Sequence, residues 1–237
     1  MRCKRWPGGQ GIAPERVVYV PNGAGISEQF TVDSGQWTVD SGQFTGDSGQ
    51  VKRRTLLLYS RLFEFDVGRL ATVLRGVKTA VPNLKVLSVG TGLYADDAAQ
   101  LRQQLAAADL LEAVEDKGWV AEAELPTWLR QADVGLYLMD DTCSNRTKCP
   151  VKLADMLMLG IPVVGEAVGQ VSAYVVQGET GLLRSSGDTA GLIDDLSRLL
   201  QEPDTRAHLA ANGRSHYAAH FSWPHLAARL ETLYALA

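Results

Sequence analysis

A polar loop at residues 140–149 carries basic side chains where a strand pattern gives way to a helix pattern. Arg146, Lys148 and Lys152 supply positive charge, and Pro150 is a residue type favoured in the first turn of a helix. Unpaired N–H groups and the helix dipole make such a junction favourable for an anion. Asp155, three residues after Lys152 on the same helical face, is placed to accept hydrogen bonds from a ribose. The alternative is a solvated loop with a surface ion pair between Lys152 and Asp155.

A second loop, at residues 165–172, has the same form, since it follows a strand pattern and opens a helix pattern. Gly169 would let the backbone approach a ligand closely, and the amides of Gln170, Val171 and Ser172 would face a phosphate. Two neighbouring strand ends would then both bind anions, and this convergence predicts a phosphorylated ligand.

Arg61 follows the first apolar strand pattern and could bind a phosphate, because its planar guanidinium offers two parallel hydrogen bonds. A surface ion pair with Glu64 or Asp66 is the alternative. The turn Gly90-Thr91-Gly92 ends the next strand pattern, but the third glycine of a dinucleotide motif does not follow it. A tight strand-to-helix turn is therefore favoured over a dinucleotide site.

The four histidines all lie in the last 30 residues, and His216 and His220 have the i, i+4 spacing that can bind a metal. No neighbouring Cys, Asp or Glu completes a ligand set, so we expect surface histidines and no metal cofactor. The sequence also lacks the motif GxxxxGK[ST], which excludes a P-loop nucleotidase, and the GxSxG elbow of many serine hydrolases.

These loops need a scaffold, and residues 55–236 provide one as alternating segments. Apolar runs predict strands, and helical spacing of apolar residues predicts helices. The predicted strands are 55–60, 85–89, part of 113–120, 134–139, 160–164 and 181–183, and the predicted helices are 67–80, 95–108, 122–131, 150–159, 168–177, 188–201, 204–219 and 222–236. This alternation predicts an α/β fold with a doubly wound, Rossmann-like parallel sheet and C-terminal helices. Ligands of such sheets bind at the carboxyl ends of the strands, where the basic loops should meet.

A tandem repeat interrupts the start of this domain. Residues 30–50 read FTVDSGQ, WTVDSGQ and FTGDSGQ, and each unit carries an Asp-Ser-Gly turn signal that argues against a helix. We interpret the repeat as a disordered loop insertion, with a ligand-binding repeat as the alternative. Residues 1–16 are rich in Gly, Pro and Arg and are expected to be disordered, while 17–20 form a short strand candidate. The expected domain therefore spans residues 17–237.

Composition narrows the function classes further. The 237 residues carry a net charge of −4, which disfavours a nucleic-acid partner, and no apolar run approaches the roughly 18 residues of a membrane span. Three cysteines without a CxxC pair disfavour a disulfide scaffold or a zinc ribbon. We expect a cytoplasmic protein. A peripheral position at the inner face of the membrane is compatible with this expectation.

The order of several motifs resembles a known family. In chain order they are VVYVPNGAG, LLLYSRL, NLKVLSVGTG, VEDKGWV, ELPTWLRQADVGLYL, CPVKLADMLMLGIPVV, EAVGQVSAYVVQGETGLL, LSRLLQEPDTRAHLAANGR and FSW. Outside the repeat, this series resembles the C-terminal, donor-binding half of a family 4 (group 1) glycosyltransferase with the GT-B fold. The resemblance implies a nucleotide-diphosphate-sugar as donor substrate, transfer with retention, and no obligatory metal or other cofactor.

The resemblance also implies residue roles. Arg61 matches the arginine that binds the diphosphate, and Trp119 and Val120 match the segment whose backbone meets the nucleobase. Lys152 matches a lysine of a related subgroup, and Asp155 matches the second acid of the E-x(7)-E motif, which contacts the ribose. The loop formed by Gly169, Gln170 and Val171 matches the amides that face the diphosphate.

Two positions depart from the family pattern. Thr147 stands where the first acid of E-x(7)-E is expected, and Asp66 replaces a lysine, where its charge would repel a diphosphate. Lys148 or Lys152 could compensate for that lysine. The resemblance also covers one of the two domains of a GT-B enzyme, so a separate acceptor-binding domain and an unknown glycan or small-molecule acceptor are expected. The loops 22–26, 61–66 and 140–150 would then be exposed rather than packed in a closed core.

Two other functions stay open at this point. The chain could be a non-catalytic half-domain that binds a nucleotide-sugar or a partner chain. It could also be another nucleotide-using α/β enzyme, such as a dehydrogenase or a sugar-nucleotide epimerase, although Gly90-Thr91-Gly92 offers only part of the motif that a dehydrogenase needs.

Overall fold

A computed structural model describes residues 20–25, 54–91 and 95–235. The described residues form a six-stranded sheet in which every neighbouring pair is parallel, in the order β3-β2-β1-β4-β5-β6. The strands are β1 (Arg54–Tyr59), β2 (Leu84–Val89), β3 (Val114–Asp116), β4 (Val134–Tyr137), β5 (Val163–Glu166) and β6 (Gly181–Arg184). The prediction of a doubly wound parallel sheet is confirmed.

Helices connect the strands and cover both faces of the sheet. They are α1 (Val67–Ala80), α2 (Ala95–Ala107), α3 (Leu125–Leu129), α4 (Cys143–Arg146), α5 (Val151–Met158), α6 (Val171–Tyr174), α7 (Thr189–Gln201), α8 (Pro203–His220) and α9 (Trp223–Ala235). Short 3-10 turns lie at Leu111–Ala113 and Glu122–Glu124. Within the described ranges, no helix is long and apolar enough to cross a membrane.

The apolar run of β1 is buried on both faces because successive side chains point to opposite sides of a strand. Leu56 and Leu58 pack with α1 and α7 in one core cluster, whereas Leu57 packs with α5 and α8 in the other. All three leucines are almost completely inaccessible. The central strand of the sheet therefore comes from the most continuously apolar run of the sequence.

The sheet changes winding direction between β1 and β4. From β1 the chain moves outward to β2 and β3, and it then returns to the other side of β1 to form β4, β5 and β6. In open parallel sheets such a switch point leaves a crevice at the carboxyl ends of the strands. Loops that follow β1 and β4 border this crevice, and both carry the basic residues singled out above.

Some element boundaries differ from the sequence predictions. Strand β4 ends at Tyr137 rather than at Met139, because the Met139 amide leaves the ladder and donates to the Glu166 carboxylate at 2.9 Å. Helix α6 is a single turn, Val171–Tyr174, rather than a helix over 168–177. The predicted disordered N-terminus, the strand candidate up to residue 19 and the repeat at 30–50 lie outside the described residues.

Candidate functional site

A pocket of about 660 Å³ opens at the carboxyl ends of β1, β2 and β4. Its walls come from the end of β1, the turn after it, the segment 119–125, and the loop that leads into α5. The lining residues are Gly25, Tyr59, Arg61, Phe63, Glu64, Gly90, Trp119, Val120, Glu122, Leu125, Tyr137, Lys148, Cys149, Pro150, Val151, Lys152 and Asp155. The pocket therefore lies at the winding switch of the sheet.

The turn between β1 and α1 places two charged side chains in this pocket. Leu62 is buried and has φ 70°, a left-handed conformation that is uncommon for a residue other than glycine. The Ser60 hydroxyl oxygen accepts from the Leu62 amide at 2.9 Å and donates to Glu64 Oε2 at 3.2 Å. This fixed turn directs Arg61 and Glu64 to the pocket wall.

Three cationic side chains line the pocket, and each lies over an aromatic ring. The Arg61 guanidinium lies 5.3 Å from the centre of the exposed Trp119 ring. The Lys148 ammonium lies 4.9 Å from the ring centre of Phe63, and the Lys152 ammonium lies 5.3 Å from that of Tyr59. Aromatic faces stabilise a cation weakly and leave its N–H groups available for an anion.

Lys152 is the most unusual of these cations. Its Nζ is buried, and among the described residues it has no hydrogen-bond partner. Burial lowers the pKa of Lys152 to about 8; the charge of Glu64 opposes this shift, and Arg61 and Lys148 add to it. A buried ammonium without a hydrogen-bonded counter-ion is costly, because charge leaves water without compensation. An anionic ligand in the pocket would supply that compensation.

Asp155 lies at the inner end of the pocket and is almost fully buried. Its Oδ1 accepts a hydrogen bond from the Gly25 amide at 2.5 Å. Its charge also contributes, after burial itself, to raising the pKa of Tyr59. The alternative of a surface ion pair between Lys152 and Asp155 is wrong, because the carboxylate is internal and Lys152 Nζ donates to no carboxylate of the described residues.

The segment that reaches Asp155, residues 20–25, is held by aromatic side chains. The Tyr174 hydroxyl donates to Asn22 O at 2.7 Å, and Trp223 Nε1 donates to Ala24 O at 3.1 Å. The Ala24 amide donates to the Tyr217 hydroxyl at 3.3 Å. The end of α8 and the start of α9 thus fix the backbone that closes the pocket at Gly25.

Five of the eight predicted donor-binding residues line the pocket: Arg61, Trp119, Val120, Lys152 and Asp155. The other three, Gly169, Gln170 and Val171, do not line it. Gly169 has φ 56° and lies against the backbone of Arg146. A Cβ at this position would lie 2.5 Å from Arg146 O, so no larger residue fits there.

Gln170 contacts a residue of the pocket wall. Its Oε1 accepts from the thiol of the pocket-lining Cys149 at 3.5 Å, whereas Val171 is buried.

The two departures from the family pattern lie outside this pocket. Asp66 caps α1 by accepting from the Arg69 amide at 2.7 Å, and it borders a neighbouring cleft. Thr147 is exposed, and its hydroxyl donates to Ser144 O at 2.8 Å. The sequence argument treated Asp66 as a source of repulsion, whereas in the structure it serves as a helix cap.

Sequence reasoning missed the site role of Glu64, which it treated as a surface partner for Arg61. The Glu64 side chain is only 16% exposed, and its ion-pair partner is Lys148, with Oε1 3.7 Å from Nζ. The sequence did contain a signal for Glu64, namely a carboxylate in the loop that follows a buried strand, four residues after Ser60. Its orientation depends on the left-handed Leu62, which the sequence pattern does not reveal.

The histidines also differ in part from expectation. His216 is half-buried rather than on the surface, and its ring contacts His220 and Phe221 with centroid distances of 4.8 and 5.5 Å. Burial lowers the pKa of His216, and the neighbouring His220 adds to this effect. The described ranges contain no cluster of three or more His, Cys, Asp or Glu that could hold a metal ion.

The loops expected to face a second domain are not packed in a closed core. In the loop 61–66, Arg61, Phe63 and Asp66 are exposed. In the described part of the loop 22–26, Asn22 and Gly25 are exposed. In the loop 140–150, residues 141–144, 146 and 147 are exposed.

Comparison with known proteins decides the family. A family model described as "Glycosyl transferases group 1" matches residues 53–202, which is well over half of the chain. The chain belongs to this family. Group 1 membership removes the reason to interpret Gly90-Thr91-Gly92 as a dehydrogenase or epimerase motif.

Curated relatives of this group 1 chain include glycosyltransferases. A phosphatidyl-myo-inositol mannosyltransferase of Mycobacterium leprae is 28% identical over 183 residues, covering 76% of this chain and 46% of the relative. An N-acetyl-alpha-D-glucosaminyl L-malate synthase of Bacillus anthracis is 26% identical over 150 residues, covering 63% of this chain and 37% of the relative. The chain thus spans less than half the length of these curated relatives.

Solved structures show the same fold at low sequence identity. HepE of Anabaena, in complex with UDP, is 17% identical with a TM-score of 0.64, and the match covers 78% of this chain and 49% of HepE. The C-terminal domain of a group 1 glycosyl transferase (LpcC) of Francisella tularensis is 17% identical with a TM-score of 0.59. That match covers 73% of this chain and 87% of the domain, so the described fold corresponds to about one such domain.

Proposed function

We propose that this chain is the donor-binding domain of a glycosyltransferase that takes a sugar from a nucleotide-diphosphate-sugar. The observation that carries the proposal is the buried Lys152 ammonium, which has no hydrogen-bond partner among the described residues and lies in a pocket that also contains Arg61 and Lys148. A diphosphate carries enough negative charge and enough acceptor oxygens to bind all three cations. The UDP complex of HepE, a protein with the same fold, supports this choice.

The nucleoside part of the donor has a proposed place at the other end of the pocket. Trp119 exposes 60% of its surface beside Val120, so a flat apolar base can contact this edge. The Asp155 carboxylate accepts from Gly25 and is hydrogen-bonded to Tyr59; a carboxylate has several lone pairs, so we propose that it also accepts from a ribose hydroxyl. Beside this site, Gln170 contacts the pocket-lining Cys149, and Gly169 lies against the backbone of Arg146. We propose that the backbone amides of Gly169, Gln170 and Val171 face the diphosphate.

The domain would promote transfer by electrostatic stabilisation. Negative charge develops on the leaving diphosphate as the bond to the sugar breaks, and Arg61, Lys148 and Lys152 are fixed around that position before reaction. Holding the donor in one orientation adds a positional advantage. We propose retention of configuration, no metal requirement, and an acceptor, a glycan or a small molecule, bound by a separate domain. We also propose a cytoplasmic location.

A second candidate is a half-domain that binds a nucleotide-sugar without catalysis. The observation that favours it is Thr147, which cannot take the role of a carboxylate and lies outside the pocket. Release of sugar from a radiolabelled UDP-sugar in a single-turnover assay of the chain would exclude this candidate, since a binding module would release no sugar.

The donor site is tested by calorimetric titration of the chain with UDP, GDP and ADP. We expect saturable binding by one of them, and a loss of about tenfold or more in Arg61→Gln, because a charge-assisted hydrogen bond contributes about 1.5–3 kcal/mol. Arg75→Gln is the matched control, since Arg75 is an exposed arginine of α1 outside the pocket. Absence of binding by all three nucleotides would overturn the proposal.

A further inference from the structure

Glu64 is a carboxylate placed among the three cations of the pocket. Its side chain is 16% exposed, and it contacts the Ser60 hydroxyl at 3.2 Å and the Lys148 ammonium at 3.7 Å. The other carboxylates that line the pocket differ from it, because Asp155 is bonded to Gly25 and Glu122 is exposed at the rim beside Trp119. A negative charge at this position weakens the binding of an anion, so its presence calls for a separate explanation.

The position of Glu64 is fixed by its own backbone. Its carbonyl oxygen accepts from Asn145 Nδ2 at 2.7 Å and from the Asp140 amide at 2.9 Å. The preceding turn contains the left-handed Leu62. Backbone conformations of this kind persist where the surroundings enforce them, and they are concentrated at functional sites. The two loops that border the pocket thus hold Glu64 in one place.

A second cleft, of about 450 Å³, continues from the pocket at Glu64. Phe63, Glu64 and Lys148 line both spaces, and the remaining wall of the cleft is mostly polar. It is formed by Phe65, Asp66, Asp140, Thr142, Ser144 and Asn145. Hydrogen-bonding side chains beside the half-exposed ring of Phe63 suit a polyhydroxylated ring with one apolar face.

The contacts of the pocket support one orientation of the donor. The Arg61 guanidinium lies over the ring of Trp119, and the Lys148 ammonium lies over the ring of Phe63. Phe63, Glu64 and Lys148 also line the second cleft, whereas Trp119 and Arg61 do not. A base against Trp119 and a diphosphate among the cations leave the sugar at the polar end, beside Glu64.

We propose that Glu64 makes this site select neutral sugars, by accepting hydrogen bonds from sugar hydroxyls, and reject sugars that carry a carboxylate. This inference rests on the proposed donor-binding function and adds the class of sugar. An ionised carboxylate accepts hydrogen bonds from hydroxyl groups, whereas a second carboxylate within a few ångströms is repelled. Like-charge contacts of this kind are a common source of specificity.

The experiment measures dissociation constants for UDP, UDP-glucose and UDP-glucuronate by calorimetry, in the wild type and in Glu64→Gln. If the nucleotide titration selects guanosine, the probes are GDP, GDP-mannose and GDP-mannuronate. We expect the wild type to bind the neutral sugar nucleotide at least about tenfold more tightly than the uronate form, because a juxtaposed like charge costs more than 1.4 kcal/mol. In Glu64→Gln the ratio should fall to about threefold or less, mainly through tighter binding of the uronate form.

Glu124→Gln is the control, because it removes one exposed carboxylate that does not line the pocket and should leave the ratio unchanged. An equal ratio in wild type and Glu64→Gln, with UDP or GDP still bound, would overturn the sugar assignment alone. A shift in Glu124→Gln as large as in Glu64→Gln would overturn it as well, since a general charge effect would then suffice. Failure of every nucleotide to bind would overturn the donor site and this inference together.

Discussion

Two clusters of charged side chains lie at the carboxyl ends of the strands. In one cluster the buried charge is hydrogen-bonded by neighbouring groups, and in the other it is not. At the end of β5, Glu166 is fully buried and accepts from Arg69 at 2.7 and 3.0 Å, from the Met139 amide at 2.9 Å and from the Gly187 amide at 2.6 Å. Beside β1, the Nζ atom of Lys152 is buried without a hydrogen-bond partner among the described residues.

The difference separates a structural site from a binding site. Around Glu166 every charge is satisfied within the domain, so the cluster joins β4, β5 and α1 without needing a ligand. Around Lys152 the cations are partnered by aromatic rings, which compensate a buried charge only in part. Uncompensated charge in a pocket is typical of a site that binds a ligand of opposite charge.

The largest expected effect is on stability, at the satisfied cluster. Glu166→Gln should lower the free energy of unfolding by about 3 kcal/mol, because breaking a buried pair leaves Arg69 with only the partly exposed Asp140 as a partner. Chemical denaturation monitored by circular dichroism measures the change. A loss below about 0.5 kcal/mol, the range of surface substitutions, would show that the cluster is not a structural site.

Lys152→Met should show the opposite combination. Removing a buried charge that has no hydrogen-bond partner within the described ranges is expected to leave the free energy of unfolding unchanged or to raise it. Binding of the nucleoside diphosphate should weaken by about 10- to 100-fold, since a charge-assisted hydrogen bond is lost. Denaturation and calorimetry on the same preparation measure both quantities. A strongly destabilised Lys152→Met with normal nucleotide binding would reverse the comparison.

Nucleotide binding should depend on pH through Lys152. The pKa of this lysine is lowered to about 8, so the ammonium form that binds an anion is lost as pH rises through 8. Affinity for a nucleoside diphosphate should therefore fall between pH 7 and pH 9. Because a bound anion favours the charged lysine, binding near pH 8 should take up a fraction of a proton.

Calorimetry in buffers of different ionisation enthalpy measures this proton uptake. Lys152→Met is the control and should show none from this group. The same lowered pKa implies that stability rises with pH above 8, because the unfolded lysine, with its higher pKa, binds more protons than the folded one. Proton release on binding near pH 8 would contradict the assignment.

The smallest effect is expected for a substitution of Asp66. It tests whether this residue caps helix α1 or repels the diphosphate. Asp66→Ala removes a helix cap and should cost about 1 kcal/mol of stability. Nucleotide affinity should change by less than about threefold, because Asp66 does not line the donor pocket. Thermal unfolding and calorimetry give the two values, and a large gain in affinity would show that Asp66 repels the diphosphate after all.

The sequence predicted the layout of the fold because its signals are local. Apolar runs such as 55–60 and the helical spacing of 67–80 depend on neighbours within a few residues, and both elements formed with boundaries close to prediction. The same patterns located the basic loops after β1 and before α5. Boundaries were missed where a distant group decided them, as Glu166 does for the end of β4.

The candidate site was predicted in part, for a similar reason. Arg61 and Lys152 were found because basic residues after strands are visible in a sequence. The close approach of Arg146 to Gly169 was not, because these two residues lie in different loops. Glu64 was missed as a pocket residue, since its direction depends on one left-handed residue and on hydrogen bonds to residues 140 and 145.

The sequence by itself determined a parallel α/β domain with cationic loops at one edge, because hydrophobic periodicity and charge are properties of short segments. Only the tertiary structure decided which charges are neutralised. Arg69 and Lys152 are both cations near the ends of strands, yet one meets a buried carboxylate and the other meets the ring of Tyr59. Partners separated by up to 97 positions in the chain make that difference, and long-range contacts of this kind form only when the sheet has closed.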